Sequence, residues 1–264
     1  MVSAASALLL ERIGAVTDEV DLDIADAVHT LLEWGVRHAH VRSIGDARVP
    51  SFSGETLARL ADAAVALDIG ALSPGLFKGS VRGEKRQREM QVMLPESIRL
   101  AVDLGVPQVV VFGGGAGEPR DAVIEILGEA AERARAGGVE LILENSSLCH
   151  VATCDDLVGV AEALDLRVVW DPANAVAAGD RDLVAGSRQL AHRVASVHVR
   201  DWHPDTGWRR LGRGVMPWRA MIGALESEGY RGRYIVESHL PADPGATEWN
   251  VDALVSLLRS SSRE

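Results

Sequence analysis

Short runs rich in Val, Ile and Leu alternate along the chain with longer segments in which apolar residues recur every three or four positions. The short runs are typical of buried β-strands, and the longer segments are typical of amphipathic helices that bury one face. In the first such helix, Ile24, Ala27, Val28 and Leu31 share a face. The chain therefore repeats a strand–helix unit, which is the sequence signature of a parallel sheet.

The pattern delimits eight strands and most of the helices between them. Strands are predicted at residues 12–16, 36–43, 69–74, 108–113, 139–145, 167–171, 195–201 and 233–238. Helices are predicted at residues 22–34, 56–67, 122–136, 155–164, 181–193, 219–229 and 251–258. This order favours an α/β protein built as a closed (β/α)8 TIM barrel, in a single domain that covers residues 1–264. An open doubly wound sheet is the alternative fold.

Charge and hydropathy exclude several classes of protein. The 264 residues include 27 Lys and Arg against 38 Asp and Glu, and the resulting net charge of −11 opposes binding to nucleic acid. The longest stretch without a charged residue, 104–117, is too short to cross a bilayer and contains Pro107, so no membrane partner is predicted. The basic run at 82–88 is interrupted by glutamate and glutamine and predicts the solvated start of a helix.

Cysteine usage and the N-terminal sequence indicate the compartment. Cys149 and Cys154 cannot form a disulfide framework in a chain of this length. The start MVSAASALLLER has a short apolar patch with no basic residues before it, so a secretory leader is not predicted. We expect a cytoplasmic protein.

Four consecutive predicted strands end in a residue that can bind a metal ion. The strands read VELILENS, RVVWDPAN, ASVHVRD and RYIVESH, and the residues are Glu144, Asp171, His198 and Glu237. Side chains alternate along a strand, so each of these residues shares a face with the residue two positions earlier. Those earlier residues are mostly of barrel-filling types, namely Ile142, Val169, Ser196 and Ile235. The four polar side chains are therefore expected to point inward at the C-terminal mouth of a barrel, where barrel enzymes have their active sites.

Three carboxylates that converge in a partly dry mouth repel one another unless they take up protons or bind a cation. Mixed oxygen and imidazole ligands suit one divalent metal ion, and Mn²⁺ is expected, with Mg²⁺, Co²⁺ and Zn²⁺ as alternatives. The competing interpretation is four unrelated residues, with acids at loop starts and a buried histidine that has its own hydrogen-bond partners. The occurrence of all four residues at consecutive strand ends favours the metal site.

The strand-end motifs also resemble those of a known family. The elements ILENS, WDPAN, VHVRDW, LGRGVMPW and GYRGRYIVESH occur in that order, and VRSI and LSPGLFKG agree more loosely. Over essentially its whole length the sequence resembles the xylose isomerase-like TIM barrels, the superfamily of sugar phosphate isomerases, epimerases and AP endonuclease family 2. The resemblance implies that Glu144, Asp171, His198 and Glu237 are the metal ligands. It also implies that Glu144 and Glu237 are the catalytic acid/base pair.

Departures from the family pattern restrict the activity. Asn174 stands where endonuclease members have a histidine, and Arg213 lies in LGRG, where an Asp-x-His pair is absent. The second and third strands end in Arg42 and in Ser73 and Pro74, so a three-metal phosphodiesterase site is not supported. His150 stands six residues after Glu144, where sugar epimerases often have a glutamate, and could assist the departure of a leaving group.

Further residues are candidates for contact with a substrate. Lys78 in the LFKG loop and Arg42 could hold a carboxylate, phosphate or hydroxyl group. Asp201 could orient His198 or bind substrate. The complete set of substrate-binding candidates is Arg42, Lys78, His150, Asn174, Asp201, Arg213 and His239. Trp202 and Trp208 could form an apolar wall for a sugar ring. FGGGAG after the fourth strand lacks the GxGxxG spacing and predicts a tight turn, not a dinucleotide site.

The resemblance, taken with these residues, implies two enzymatic functions, and one alternative from another class remains. The first is a metal-dependent isomerase or epimerase that removes a proton next to the carbonyl of a small sugar, keto-sugar or polyol-derived substrate, through a metal-stabilised enediolate. The second is a lyase that uses the same first step, such as an inosose or keto-sugar dehydratase or a β-eliminase of an oxo-glycoside. The third is a non-catalytic barrel subunit. The resemblance also makes a homo-oligomer plausible.

Overall fold

The computed structural model describes residues 8–261 and contains a closed barrel of eight parallel strands. Each strand pairs with its neighbours in sequence, and the last strand closes the barrel by pairing with the first. The predicted (β/α)8 barrel is therefore confirmed, and the open sheet is excluded. The strands are β1 (Ile13–Val16), β2 (His38–Val41), β3 (Asp68–Leu76), β4 (Gln108–Phe112), β5 (Glu140–Glu144), β6 (Arg167–Trp170), β7 (Val194–Val199) and β8 (Arg233–Val236).

Helices surround the barrel and bury their apolar faces against the outside of the strands. Several begin at the polar caps that their sequences provide. Asp23 and Ser53 accept backbone N–H groups at their helix starts, and Thr153 forms a reciprocal capping box with Asp156. The helices are α1 (Ile24–Glu33), α2 (Gly54–Ala66), α3 (Glu84–Arg88), α4 (Leu94–Leu104), α5 (Arg120–Ala136), α6 (Cys154–Leu164), α7 (Pro172–Ala177), α8 (Leu183–Leu190), α9 (Trp218–Ser227) and α10 (Ala246–Ser261).

The inside of the barrel has its own small apolar layer, separate from the main core. Ala71, Val110, Ile142 and Val169 form this layer and are fully buried. Two of them are the residues predicted to lie two positions before a metal ligand, so the expected inward face of β5 and β6 is confirmed. Because the side-chain period of a strand is two, Glu144 and Asp171 are placed at the mouth above this layer.

The segment between β3 and β4 is a helix that the periodicity did not delimit. It runs from Glu84–Arg88 through a π-helical turn at Glu89–Met93 into Leu94–Leu104. Pro95 lies in the first turn of the last part, where its missing N–H is tolerated. The basic run does start a helix, but Arg86 is not solvated. Its guanidinium is buried, pairs with Glu89 at 2.6 Å and bonds the backbone oxygen of Ser80.

Two short hairpins extend from the C-terminal ends of the barrel strands. One pairs Ser43–Ile44 with Ala47–Arg48 after β2, and the other pairs Asp201–His203 with Gly207–Arg209 after β7. The predicted second and seventh strands ran into these hairpins, because alternation continues through the connecting residue. Both hairpins lie at the C-terminal mouth and bring polar side chains to it.

No helix in the described part of the chain is long and apolar enough to cross a membrane. The first seven residues of the apolar start lie outside the described residues.

Candidate metal centre

The four residues that end β5 to β8 meet at one point of the C-terminal mouth. Glu144, Asp171, His198 and Glu237 each offer a ligand atom, and these atoms all lie within 4.8 Å of one another. All four side chains are buried. The strand register explains the convergence, since Ile235 pairs with His198 and the backbone N–H of Glu237 donates to the oxygen of Val199. The cluster could hold a metal ion.

Three buried atoms of Glu144 and His198 have no hydrogen-bond partner in the protein. His198 Nδ1 lies 3.2 Å from Glu144 Oε1 and 3.2 Å from Glu237 Oε2, but neither contact has hydrogen-bond geometry. Both ring nitrogens of His198 and Oε2 of Glu144 are buried without a hydrogen-bond partner. A buried carboxylate oxygen without a donor costs about 1–3 kcal/mol or more. A divalent cation would satisfy Oε2 of Glu144 and one ring nitrogen of His198, so the residues present fit such an ion.

Electrostatics in the cluster shift the pKa of three of its members. Burial lowers the pKa of His198, but the carboxylates of Glu144 and Glu237 outweigh this effect and raise it to about 10. Burial raises the pKa of Asp171. Burial would also raise the pKa of Glu237, but the positive charges of His198 and Arg200 hold it well below its usual range. Without a metal ion the site therefore holds a proton on His198, which a cation would displace.

Arg200 is a site residue that the sequence reasoning missed. Its side chain is 1% exposed, its Nη2 contacts Asp171 Oδ2, and its Nη1 donates to Glu237 Oε2 at 2.8 Å. The guanidinium also lies 4.3 Å from the ring centroid of Trp208. A signal was present in the sequence, because Arg200 follows His198 by two positions and alternation predicts the same face.

The charges of this inner group favour a divalent cation. Glu144, Asp171 and Glu237 carry three negative charges, and Arg200 supplies one positive charge. With His198 neutral, as a metal ligand requires, two negative charges remain uncompensated. Buried like charges at this separation are costly unless a counter-ion is present. One divalent ion neutralises the group.

A second layer of charged residues holds Glu237 from the side of β1 and β2. Arg42 Nη1 donates to Glu237 Oε1 at 3.0 Å, and its other nitrogens donate to Asp18 at 2.6 Å and to Glu19 at 2.9 Å. His239 Nδ1 lies 2.9 Å from Glu19 Oε1, and its Nε2 lies 3.8 Å from Glu237 Oε2. Arg42 and His239 thus reach the site, but three carboxylates already occupy the guanidinium of Arg42. Its position indicates that it holds Glu237.

Asp171 is fixed by two asparagines. Asn174 Nδ2 donates to Asp171 Oδ2 and to the backbone oxygen of Asn145, both at 3.0 Å. Asn145 donates from Nδ2 to the backbone oxygen of Asp171 and accepts its N–H. Asn174 is therefore at the site, where it orients a metal ligand. Asn145, which follows Glu144 directly, joins the ends of β5 and β6.

Asp201 and Arg213 lie away from the cluster. The buried carboxylate of Asp201 accepts backbone N–H groups from Trp202, Gly212 and Met216, so it shapes the loop after β7. The guanidinium of Arg213 lies 5.1 Å from the ring of Trp249, on the side of α10. The polar groups of both side chains are directed to these partners in this structure, and their contact with a substrate stays a prediction.

Lys78 and His150 occupy loops next to the mouth. Lys78 Nζ lies 3.8 Å from the ring centroid of Phe112, whose strand register pairs it with Glu144. The backbone N–H of His150 donates to Gly114 within FGGGAG. The glycines of that turn permit close packing against other loops, since a Cβ on Gly113 would lie 2.1 Å from Val151.

The two tryptophans predicted as an apolar wall face each other across a hairpin. Trp202 pairs with Trp208 in the hairpin after β7. Trp208 covers Arg200 and lies 6.0 Å from the ring of His239. It therefore covers one side of the charged group and reduces its access to water.

Comparison with known proteins agrees with this geometry. The family model described as "Xylose isomerase-like TIM barrel" matches residues 30–257. No curated protein matches the sequence significantly. Solved structures share the fold at low sequence identity, and their names refer to metal-bound barrels and to sugar enzymes.

Three of these structures are representative. A xylose isomerase-like TIM barrel protein from Mycobacterium smegmatis, in complex with magnesium, is 21% identical with a TM-score of 0.70, and the match covers 90% of this chain and 88% of that one. The IOLI protein with a bound zinc atom is 18% identical with a TM-score of 0.69, covering 97% and 94%. D-psicose 3-epimerase from Clostridium cellulolyticum H10 is 14% identical with a TM-score of 0.72, covering 96% and 98%. At these identities the structures establish the fold, and together with the family match they show that the chain belongs to the xylose isomerase-like TIM barrel family.

Proposed function

We propose that this protein is a divalent-metal-dependent isomerase or epimerase of a small sugar or keto-sugar. The proposal depends on one observation, the buried convergence of Glu144, Asp171, His198 and Glu237 with ligand atoms within 4.8 Å of one another. Two of these residues are carboxylates that can also move a proton. The names of the structural relatives support the substrate class, since one is an epimerase solved with a ketose.

The chemistry divides between the ion and the chain. A divalent ion bound here would supply Lewis acidity toward the carbonyl and the adjacent hydroxyl of a substrate. Glu144 and Glu237 come from β5 and β8, and one oxygen of each lies 3.2 Å from Nδ1 of His198. In the proposed reaction the substrate lies with one of these carboxylates near each face of its α-carbon. One glutamate removes the proton and keeps it, and the other, in its acid form, donates its own proton to the opposite face or to the neighbouring carbon.

The two glutamates are held differently. Glu237 is clamped by Arg42 at 3.0 Å and by Arg200 at 2.8 Å, so it remains an ionised carboxylate of fixed orientation. Oε2 of Glu144 has no hydrogen-bond partner, so Glu144 is the less constrained of the two glutamates. A fixed carboxylate favours stereospecific removal of a proton, and a less constrained one favours exchange of a proton with substrate.

Hydrogen exchange tests the proposed reaction directly. The protein, loaded with Mn²⁺, is incubated with a panel of ketoses in D₂O, and deuterium at the α-carbon is followed by NMR. We expect incorporation without loss of water. A positioned general base contributes about 10²–10⁴-fold, so Glu144→Gln and Glu237→Gln should each lower the rate by at least about 10²-fold. Parallel loading with Mg²⁺, Co²⁺ and Zn²⁺ tests our proposal that Mn²⁺ is the preferred ion.

Glu140→Gln is the matched control. Glu140 begins β5 and lies at the opposite end of the strand that carries Glu144, where it bonds Gln108 and Arg167. This variant should exchange at the wild-type rate. Formation of an enone product, detected by its ultraviolet absorption, would show that the protein is a lyase and not an isomerase. Absence of exchange with every ketose at full metal occupancy would favour the non-catalytic barrel, and wild-type turnover in Glu237→Gln would overturn its assignment as an acid/base group.

A further inference from the structure

The N-terminal end of the barrel contains a cavity of about 540 Å³ that enters the barrel interior. His40 and Ser196 contribute to its inner wall, with Gly70 beside them, and the more exposed Arg231 and Arg233 lie nearer the entrance. The interior of a TIM barrel is normally filled by layers of bulky side chains. Here glycine and serine replace bulky residues at the lower end, and space remains. We call this space the N-terminal cavity.

Four buried polar atoms of the residues around this cavity lack a hydrogen-bond partner. Nδ1 of His38 lies 2.9 Å from a carboxylate oxygen of Asp68, and the other three atoms, which form no ion pair either, are Nη2 of Arg12, Nδ1 of His40 and Oγ of Ser196. His40 is 4% exposed and Ser196 is 3% exposed, so bulk water does not reach them freely. A buried polar group left unpaired costs about 1–3 kcal/mol. Three such groups around one cavity indicate a site that is completed by an acceptor-rich molecule.

Guanidinium groups outnumber carboxylates in the lining of the cavity. Its lining includes four arginines, whereas Glu11 is the one acidic residue among the lining residues of the described chain. Arg12, Arg167 and Arg233 each pair with a carboxylate beyond the lining, at 2.5, 3.4 and 2.8 Å. Nη1 of Arg231 donates to the backbone oxygens of Glu226 and Tyr230. Since a guanidinium has five N–H donors, these arginines keep donors for a further acceptor.

The cavity is separate from the metal centre. The apolar layer of Ala71, Val110, Ile142 and Val169 lies inside the barrel between its two ends. One polar contact connects the ends, since the ring of His40 lies 5.6 Å from the ring of His198.

We propose that the N-terminal cavity binds a small oxyanion of the phosphate class, with Ser196, His40 and Arg12 as donors at its inner end and Arg231 at its entrance. The volume is many times the roughly 30 Å³ that a water molecule occupies in the liquid, so the cavity can accommodate an oxyanion of this size. This proposal does not depend on the proposed enzymatic function.

Calorimetric titration of the metal-free, full-length protein with inorganic phosphate tests the site. The metal-free form prevents phosphate from binding to an ion at the other mouth. We expect saturable binding of one phosphate per chain, at least tenfold weaker in Ser196→Ala and in Arg231→Ala. Ser196→Ala removes an unpaired hydroxyl, so it should fold at least as well as the wild type, which circular dichroism checks.

Two controls localise the binding. Arg88→Ala removes an exposed arginine from a helix on the outside of the barrel, and Glu237→Gln alters the metal centre. Both should bind phosphate with the wild-type affinity. The proposal would be overturned if Ser196→Ala bound phosphate as tightly as the wild type. It would also be overturned if the wild type showed no saturable binding up to about 10 mM phosphate. A crystal structure from phosphate that shows only ordered water or part of residues 1–7 in the cavity would overturn it as well.

Discussion

The two ends of the barrel are both lined with charged side chains, but they use them in opposite ways. At the C-terminal mouth the charges are buried and converge, and carboxylates outnumber guanidinium groups around His198. At the N-terminal end four arginines line the cavity, and three of them form ion pairs with carboxylates outside its lining. Arg200 is 1% exposed, whereas Arg233 is 40% exposed.

This difference shows that the number of charges at a barrel end does not determine what it binds. What matters is which atoms are buried without a partner. At the C-terminal mouth these atoms are an acceptor of Glu144 and the nitrogens of His198, which suit a cation. At the N-terminal end they include donors of Arg12 and Ser196, which suit an anion.

Replacement of the buried Arg200 should destabilise the protein far more than replacement of the partly exposed Arg233. Arg200→Leu leaves Asp171 and Glu237 without their buried counter-charge, so the free energy of unfolding of the metal-free protein should fall by about 3–5 kcal/mol. Arg233→Leu breaks a partly exposed pair with Asp68 and should cost at most about 1 kcal/mol. Urea unfolding measures both values. Saturating Mn²⁺ should reduce the loss in Arg200→Leu, and an equal loss with and without the ion would contradict the metal site.

The two histidines inside the barrel should differ in their effect on metal affinity. His198→Ala removes a ligand, so the dissociation constant for Mn²⁺ should rise by at least about 10²-fold, which corresponds to about 2.7 kcal/mol. His40 lies one layer below His198, so His40→Ala should change the dissociation constant for Mn²⁺ by less than tenfold. Isothermal titration with Mn²⁺ measures both. Similar losses in the two variants would mean that the ion does not bind at the predicted residues.

The pH dependence of stability should reveal His40. Burial and the nearby positive charge of His198 lower the pKa of His40 to about 3, whereas an unfolded imidazole has a pKa of about 6.5. As the pH falls below 6.5 the unfolded chain binds this proton first, so the contribution of His40 to stability is lost progressively down to about pH 3. The slope reaches about 1.4 kcal/mol per pH unit.

Comparison of variants isolates this proton from the acids that titrate in the same range. His40→Gln should flatten the dependence of the unfolding free energy on pH between 6 and 4. The exposed His29, whose side chain is 75% exposed, provides the matched variant His29→Gln, which should leave the slope unchanged. Equal slopes in His40→Gln and the wild type would show that His40 is not buried in its neutral form.

The smallest effect concerns packing at the N-terminal end. A Cβ on Gly70 would lie 3.6 Å from the ring of His40, at an ordinary contact distance, so Gly70→Ala should change stability by less than about 1 kcal/mol. A Cβ on Gly14 would lie 2.7 Å from Ile235 and 2.8 Å from the backbone oxygen of His38, so Gly14→Ala should cost about 1–3 kcal/mol. Thermal unfolding ranks the two. The reverse order would mean that no space exists beside His40.

The metal cluster could be predicted because its signal is local. Each of Glu144, Asp171, His198 and Glu237 follows an apolar run, and alternation alone places them on the inner face. The same rule applied two residues further would have found Arg200. The acidic segment after β1, with Asp18 and Glu19, follows a strand end in the same way and also reaches the site through Arg42.

Other roles could not be predicted, because they depend on partners far away in sequence. Arg42 contacts Glu237 across 195 positions, and nothing near Arg42 in the chain indicates that carboxylates already occupy its guanidinium. The sequence near Arg213 likewise gives no sign that its guanidinium lies 5.1 Å from the ring centroid of Trp249. The helix 84–104 was missed as a unit because Pro95 and the basic run conceal its periodicity.

The strand–helix rhythm, the barrel and the four side chains at its C-terminal mouth are specified locally in the sequence, since they follow from periods of two and 3.6 residues that operate over a few positions. The pairing of each charge with a counter-charge, and the buried atoms left without a partner, depend on the tertiary fold. Ion pairing and desolvation depend on distances in space and on exclusion of water, and closure of the barrel sets both for residues that are far apart along the chain.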